Sequence, residues 1–230
     1  MQPKHKITLA RNEQGFSLME LMIAMTVTLA LMGMASTLIA GALRMRSREN
    51  QKSDALADAQ RAMNIMSREI ADAGFNLNTN GLVAAESGAN RIRIRSNLNK
   101  YDYAVSDSSR NNVTDPGEDV SYFINLAANT KYLARHDQYG TGNTVLANRL
   151  DSFNIHYFAS KVTYTADPAA SDISNASAAE VSPDQAKYIV IAVSVILNQV
   201  GKPGSPGYQP AYTVLLCSDV TLRNSNLTTY

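Results

Sequence analysis

Three scarcities limit what this sequence can be. A single cysteine, Cys217, occurs in 230 residues, so no disulfide closes within the chain and no paired-cysteine metal site exists. Histidine occurs three times, at His5, His136 and His156, and tryptophan not at all. None of the patterns G-x-S-x-G, H-E-x-x-H or a phosphate-binding P-loop is present, and lone serines or aspartates carry no information. The sequence therefore points to a non-enzymatic role, with no catalytic residue, cofactor or metal implied. A formal net charge of +1 gives the chain as a whole no pull toward nucleic acid.

The most consequential absence is of charge. From Phe16 to Leu43, 28 residues, the only charged side chain is Glu20, and proline is missing from the same stretch. As a helix it would run about 42 Å, against about 30 Å for a hydrocarbon core. Lys4, Lys6 and Arg11 precede it and Arg44, Arg46 and Arg48 follow, so the positive-inside rule gives a mixed signal. A cleavable secretory signal is one competitor, and "AGA" at 40–42 even supplies a small-residue site. Such signals have an apolar region of about 7 to 15 residues with no acid inside. A plain signal anchor also leaves Glu20 unexplained. A carboxylate at membrane depth costs about 2.5–3.5 kcal/mol and usually has a partner, which must here come from outside the segment.

Beyond Leu43 the pattern turns amphipathic. Leu56, Ala59, Met63, Met66, Ile70 and Ala73 recur at spacings of three and four, with Arg61, Arg68, Glu69 and Asp72 between them. Gly74 is a natural C-terminal breaker. One helix is expected from about Phe16 to Ala73, its second half packed on a folded domain. Strand signals follow. "NRIRIRSN" alternates, and "DVSYFINL" comes after the turn-like "TDPGE". "NRLDSFNIHYFAS" sets Phe153, Ile155 and Tyr157 on one face. "KYIVIAVSVILNQ" is apolar throughout, as for a strand covered on both faces, and "AYTVLLCSDVTLRN" follows a Gly/Pro loop. The Ala/Ser/Asp-rich stretch 166–185 reads as a loop or an insertion, with mobility expected. The fold class is α+β, a long helix packed on an antiparallel sheet.

"GFSLMEL" at 15–21 resembles the class III leader of type IV pilins and type II secretion pseudopilins, of the form Gly-Phe-Ser/Thr-Leu-x-Glu. The resemblance implies that prepilin peptidase cuts between Gly15 and Phe16 and N-methylates Phe16, leaving the apolar helix in the product. It gives Glu20, the fifth residue of the mature chain, a partner in the N-terminal amine of a neighbouring subunit. It implies a pilin-like organisation: a leader at 1–15, a transmembrane and filament-core helix at 16–43, an amphipathic continuation at 44–74 and a β-rich head at 75–230. "RAMNIMSREIADAGF", "RLDSFNIHYF" and "DVTLRN" resemble PilW-type minor pilins or PulJ/GspJ-type pseudopilins. The lack of a helix proline and of a disulfide loop departs from many major pilins and fits a minor subunit. The implied function is a minor pilin for pilus assembly or priming, the alternatives being a type II secretion minor pseudopilin or a signal-anchored periplasmic binding domain. The implied partners are the peptidase, other minor and major pilins and an inner-membrane assembly platform. The implied location is the bacterial inner membrane with a periplasmic head, then the pilus or pseudopilus.

Two further patterns have competing readings. Arg91, Arg93 and Arg95 on one strand face could contact nucleic-acid phosphates, but a solvated face or a charge-guarded edge is the expected role. "DPGED" at Asp115 to Asp119 has carboxylates suited to calcium; its spacing matches no standard loop, and a solvated turn is expected. Cys217 is expected to be a small buried residue of the last strand. The sequon at Asn112 to Thr114 carries no weight in a bacterial protein.

Overall fold

The computed structural model describes residues 15–99, 113, 115–127, 130–140, 142–205 and 207–225. The leader, apart from Gly15, and both ends of the sequon lie outside the described residues, as does His5. A single helix, α1, runs Leu18–Ala71 without a break, 54 residues or about 81 Å. No proline interrupts it. It begins after Ser17, in extended backbone, with Glu20 in its first turn, where a negative charge complements the helix dipole. It ends two residues before the expected Ala73. Asp72 donates its backbone N–H back to the Arg68 carbonyl, and Gly74 then takes a left-handed φ of 75°.

Eight strands follow: β1 (Arg91–Arg95), β2 (Asp119–Ala127), β3 (Thr130–Asp137), β4 (Gly142–Phe158), β5 (Thr165–Asp167), β6 (Asp172–Ser174), β7 (Tyr188–Leu197) and β8 (Tyr212–Thr221). Six form one antiparallel sheet in the order β1-β2-β3-β4-β7-β8, and β5-β6 is a separate hairpin inserted between β4 and β7. The sheet packs on the upper half of α1 through Ala55, Ala59, Ala62, Met66 and Ile70. Opposite them lie Tyr122, Leu133, Phe153, Ile155, Ile189, Ile191 and Val193. Alanine at three positions of the stripe lets the helix axis come close to the strands. The expected α+β layout, one long N-terminal helix on an antiparallel sheet, is the observed one.

Of the two readings of 166–185, loop or insertion, the structure has the insertion: it contains most of the β5-β6 hairpin and a short 3-10 turn, Pro183–Gln185. The apolar run of β7 explains why. Its odd-numbered residues enter the main core, whereas Tyr188 and Val190 face the other way. There they join Phe158 and Val162, with Tyr164 and Ile173 packed over them. A strand apolar on both faces needs a second cover, and the insertion supplies it. Ser194, fully buried on that same face, donates a hydrogen bond to the Ser171 hydroxyl at 3.3 Å.

Polar bonds fix the helix against the sheet at its far end. The buried Tyr122 hydroxyl donates to Glu69, and the Arg135 Nε donates to the same carboxylate at 3.1 Å. Burial first, and then the Glu69 charge, push the Tyr122 phenol far above its ordinary range. Past β8, the Arg223 backbone N–H donates to the Ala71 carbonyl at 3.1 Å and its guanidinium pairs with Asp72 at 3.0 Å. Removing the Glu69 acceptor strands a phenol and a guanidinium that water reaches poorly. Glu69→Ala is therefore expected to lower the unfolding free energy by about 2–3 kcal/mol, and Glu69→Gln, which keeps an acceptor, by about 1. Urea denaturation of the detergent-solubilised protein measures both, and equal losses would contradict the hydrogen-bond account.

Candidate assembly segment and charged clusters

The lower half of α1 is a bare rod. From Gly15 to Ala40 every residue is exposed, including Phe16 at 81% and Leu18 at 77%. Of the five hydroxyls in this stretch, the four beyond Ser17 are satisfied within the helix. Thr26 donates to the Ile23 carbonyl, Thr28 to Ala24, Ser36 to Met32 and Thr37 to Met34, at 2.6–2.9 Å. That arrangement removes the cost of carrying a hydroxyl into hydrocarbon. The helix is long and apolar enough to cross a membrane. Glu20 is different. Among the described residues it makes no hydrogen bond or ion pair, so no described side chain neutralises its charge.

The arginines stand on the edge strand β1, as the charge-guarded-edge reading expects, with Arg91 and Arg95 partly in solvent, but all three are also paired within the chain. Arg93 grips Asp119 with two parallel bonds, Nε to Oδ1 at 2.7 Å and Nη2 to Oδ2 at 2.8 Å, and its Nη1 pairs with Glu86. Arg95 adds a bond to the same Asp119 at 2.8 Å, and Arg91 reaches Glu86 at 3.0 Å. Asp119 is only 1% exposed. Burial alone would raise its pKa, but the Arg93 and Arg95 bonds outweigh that and hold it below the usual carboxylate range. These guanidinium groups are committed to carboxylates of their own chain. The register makes the pairing direct, since Arg95 stands opposite Asp119 across β1 and β2.

The Asp115 to Asp119 turn is corrected in the same way. Glu118 is as buried as Asp119. Its Oε1 accepts the backbone N–H groups of Leu98 and Asn99 at 2.8 and 3.2 Å, and its Oε2 that of Asp115 at 3.2 Å. The turn is a sealed corner in which Glu118 stands in for missing strand partners. Among the described residues no cluster of three or more candidate ligands is arranged to hold a metal.

Of the histidines, His136 bonds Asn143 directly across β3 and β4 at 2.8 Å. His156 on β4 lies between two carboxylates of the β7 cover, with Nε2 2.6 Å from Asp172 and Nδ1 2.8 Å from Glu180. Burial alone would lower its pKa, yet the bonds to Glu180 and Asp172 outweigh it and the net shift is upward. Cys217, expected to be buried, is only half-buried because β8 is an edge strand. Burial and the nearby Asp172 charge push its thiol up.

Residues 10–36 match the family model described as the prokaryotic N-terminal methylation motif. The chain carries a prepilin-type, class III methylation motif. The match spans the segment that contains Gly15, Phe16 and Glu20. No curated protein matches the chain. Among solved structures, a type IV-like pilin from Thermus thermophilus is similar over 74% of this chain and 97% of its own, at 10% identity and a TM-score of 0.40.

The His156 clamp has a definite pH signature. Because the folded state holds its proton more tightly than the unfolded chain, whose imidazole titrates near 6.5, its stabilisation is complete below that pH. It fades as pH rises through the folded value. Wild type should therefore exceed His156→Gln in stability by about 1 kcal/mol at pH 5.5. The gap should shrink by pH 8.5 in paired urea melts; a gap that grows with pH would contradict the assignment.

Proposed function

We propose that this chain is a membrane-inserted minor type IV pilin of the PilW kind, which primes or joins a pilus through its N-terminal helix. The reading is carried by one observation: a fully exposed apolar half-helix with a single, unpartnered carboxylate in its first turn, immediately after Gly15 and Phe16. Prepilin peptidase cuts after Gly15, and the new Phe16 amine is methylated and cationic. That amine sits at the positive end of the α1 dipole, where a cation is disfavoured. Glu20 of a neighbouring subunit relieves it. Two charges that are each costly in lipid become tolerable as a pair, and the pair fixes the axial offset between adjacent helices.

The rest of the segment then packs helix against helix. Within lipid that contact rests on close packing at small residues such as Gly33, Ala35 and Ser36. Once the helix leaves the membrane, burial of its apolar side chains drives the association. The head stays on the periplasmic side and takes part through its surface, without catalysis.

Co-expression with prepilin peptidase followed by mass spectrometry tests the processing. A mature chain starting at N-methyl-Phe16 is expected, and Gly15→Ala should retain residues 1–15. A product starting at Met1 or Leu43 would favour an anchor or a secretory signal instead. Glu20→Ala should be cleaved and inserted normally, yet enter filaments at least about tenfold less well. Unchanged incorporation would remove the electrostatic role. Recovery of the wild-type chain with secretion pseudopilins alone would move it to the type II secretion system.

A further inference from the structure

The face of α1 that carries the head extends below the sheet into the apolar segment. Gly41, Arg44 and Arg48 lie at spacings of three and four on the same helical stripe as Ala55, Ala59 and Ala62. The loop joining β7 to β8, residues 198–211, covers that lower extension. Gly207 lies so close to Gly41 that a Cβ on it would stand 2.9 Å from the Gly41 Cα, and its φ of 74° is left-handed. Glycine is needed at 207; on Gly41 a Cβ would make only ordinary contact, 3.8 Å from the Gly207 nitrogen. Gly201 lies against Arg44, whose Nη1 is 3.7 Å from where a Cβ would be.

The loop is internally ordered. Val200 and Gln209 exchange backbone hydrogen bonds at 2.9 Å, and the Ser205 N–H donates to the Lys202 carbonyl at 3.0 Å across a turn with Pro203 and Gly204 at its centre. It is a built projection of the head, seated on the last turn of the apolar helix.

Its depth follows from length. If Phe16 marks one boundary, a hydrocarbon core of about 30 Å ends near residue 36, and the next two turns pass through a headgroup layer about 5–8 Å thick. Gly41 and the loop on it fall at that layer on the far side of the membrane. The composition there is that of an interface. Arg46 is exposed on the helix, Lys202 is exposed on the loop, and Tyr208 and Tyr212 flank the seat, Tyr212 being 58% exposed. Basic and tyrosine side chains are the residues that anchor at headgroup depth. Arg48 is buried, with one guanidinium nitrogen lacking a hydrogen-bond partner among the described residues. The positive-inside rule disfavours three arginines on the translocated side, so their presence calls for a specific contact.

We infer that the β7–β8 loop is a membrane-contacting foot, which rests on the outer face of the bilayer with Lys202 and Arg46 on anionic phospholipid headgroups. It holds the head at a fixed height and orientation on the membrane before assembly. This rests on the membrane-spanning reading of residues 16–43 and not on filament formation.

Because the chain has no tryptophan, single indoles report depth in the full-length protein reconstituted into vesicles. Pro203→Trp places one at the loop tip. Leu29→Trp places one mid-span, and Phe75→Trp one beyond the helix end, about 45 Å or more above Gly41. Lipids brominated near the headgroup should quench the tip indole at least twofold more than the Phe75→Trp control in vesicles containing phosphatidylglycerol. Adding Lys202→Glu and Arg46→Glu should halve that quenching or more, as should pure phosphatidylcholine. A parallel series with lipids brominated deep in the acyl chain reads the mid-span indole: quenching of Leu29→Trp there, without headgroup-level quenching at the tip, would overturn the foot while leaving the span intact. Failure of the mid-span indole to quench would overturn the span and the foot with it. Tip quenching indifferent to lipid charge and to both reversals would overturn the headgroup contact.

Discussion

A carboxylate carried into hydrocarbon needs a cation, and no side chain among the described residues gives Glu20 one. Glu20 sits in the first turn of a helix whose neighbouring side chains are apolar and exposed. The cost of that arrangement is several times thermal energy. A design that leaves it standing in the isolated chain directs the helix toward a partner able to supply a positive charge at that depth. The amine that processing would create at Phe16 is such a charge, and it belongs to every copy of a similarly processed subunit. Under the proposed function, that one interaction would both select partners and set their stagger.

The single helix serves two solvents, and its side chains change accordingly. Below Gly41 it is apolar all round, as a rod in lipid or at the centre of a bundle must be. Above Arg48 it is apolar along one stripe only, with alanines where the sheet comes close. Between them lie Gly41, Arg44 and Arg48 under the β7–β8 loop, so the change of solvent coincides with the lowest point of the head. Continuity of α1 across this zone couples the head mechanically to the membrane segment: with no proline or break in the helix, a force on one end reaches the other.

The helix and the sheet were legible in the sequence because their periods are strong. The 3–4 spacing from Leu56 to Ala73 and the alternation around Phe153, Ile155 and Tyr157 each point to one face and one partner layer. The leader was legible because a lone acid in an apolar run is rare and physically pointed. The pairings between distant segments were not. Nothing local announces that Glu69 meets Tyr122 and Arg135, or that Glu118 accepts backbone N–H groups of Leu98 and Asn99, since those contacts depend on how strands are ordered. The arginine ladder held a usable clue, because alternating cations beside an acid-rich turn invite cross-strand pairing. The β7 run held another: apolar on both faces, it required a cover, and the only long unassigned stretch nearby was 166–185.

The head and the membrane segment treat buried acid in opposite ways, and the contrast bears on function. In the head, Asp119 is held by two arginines, Glu118 by three backbone N–H groups, and Asp137 by the N–H groups of Gly117 and Tyr139. Each of these three acids is compensated within the chain. Glu20 alone combines an apolar setting with no internal compensation among these acids. Evolution of a self-sufficient anchor would have no use for it, because a leucine at that position would insert more favourably. A chain that compensates these head acids, and leaves Glu20 without a partner among its described residues, has the charge arrangement that the proposed assembly at Glu20 calls for.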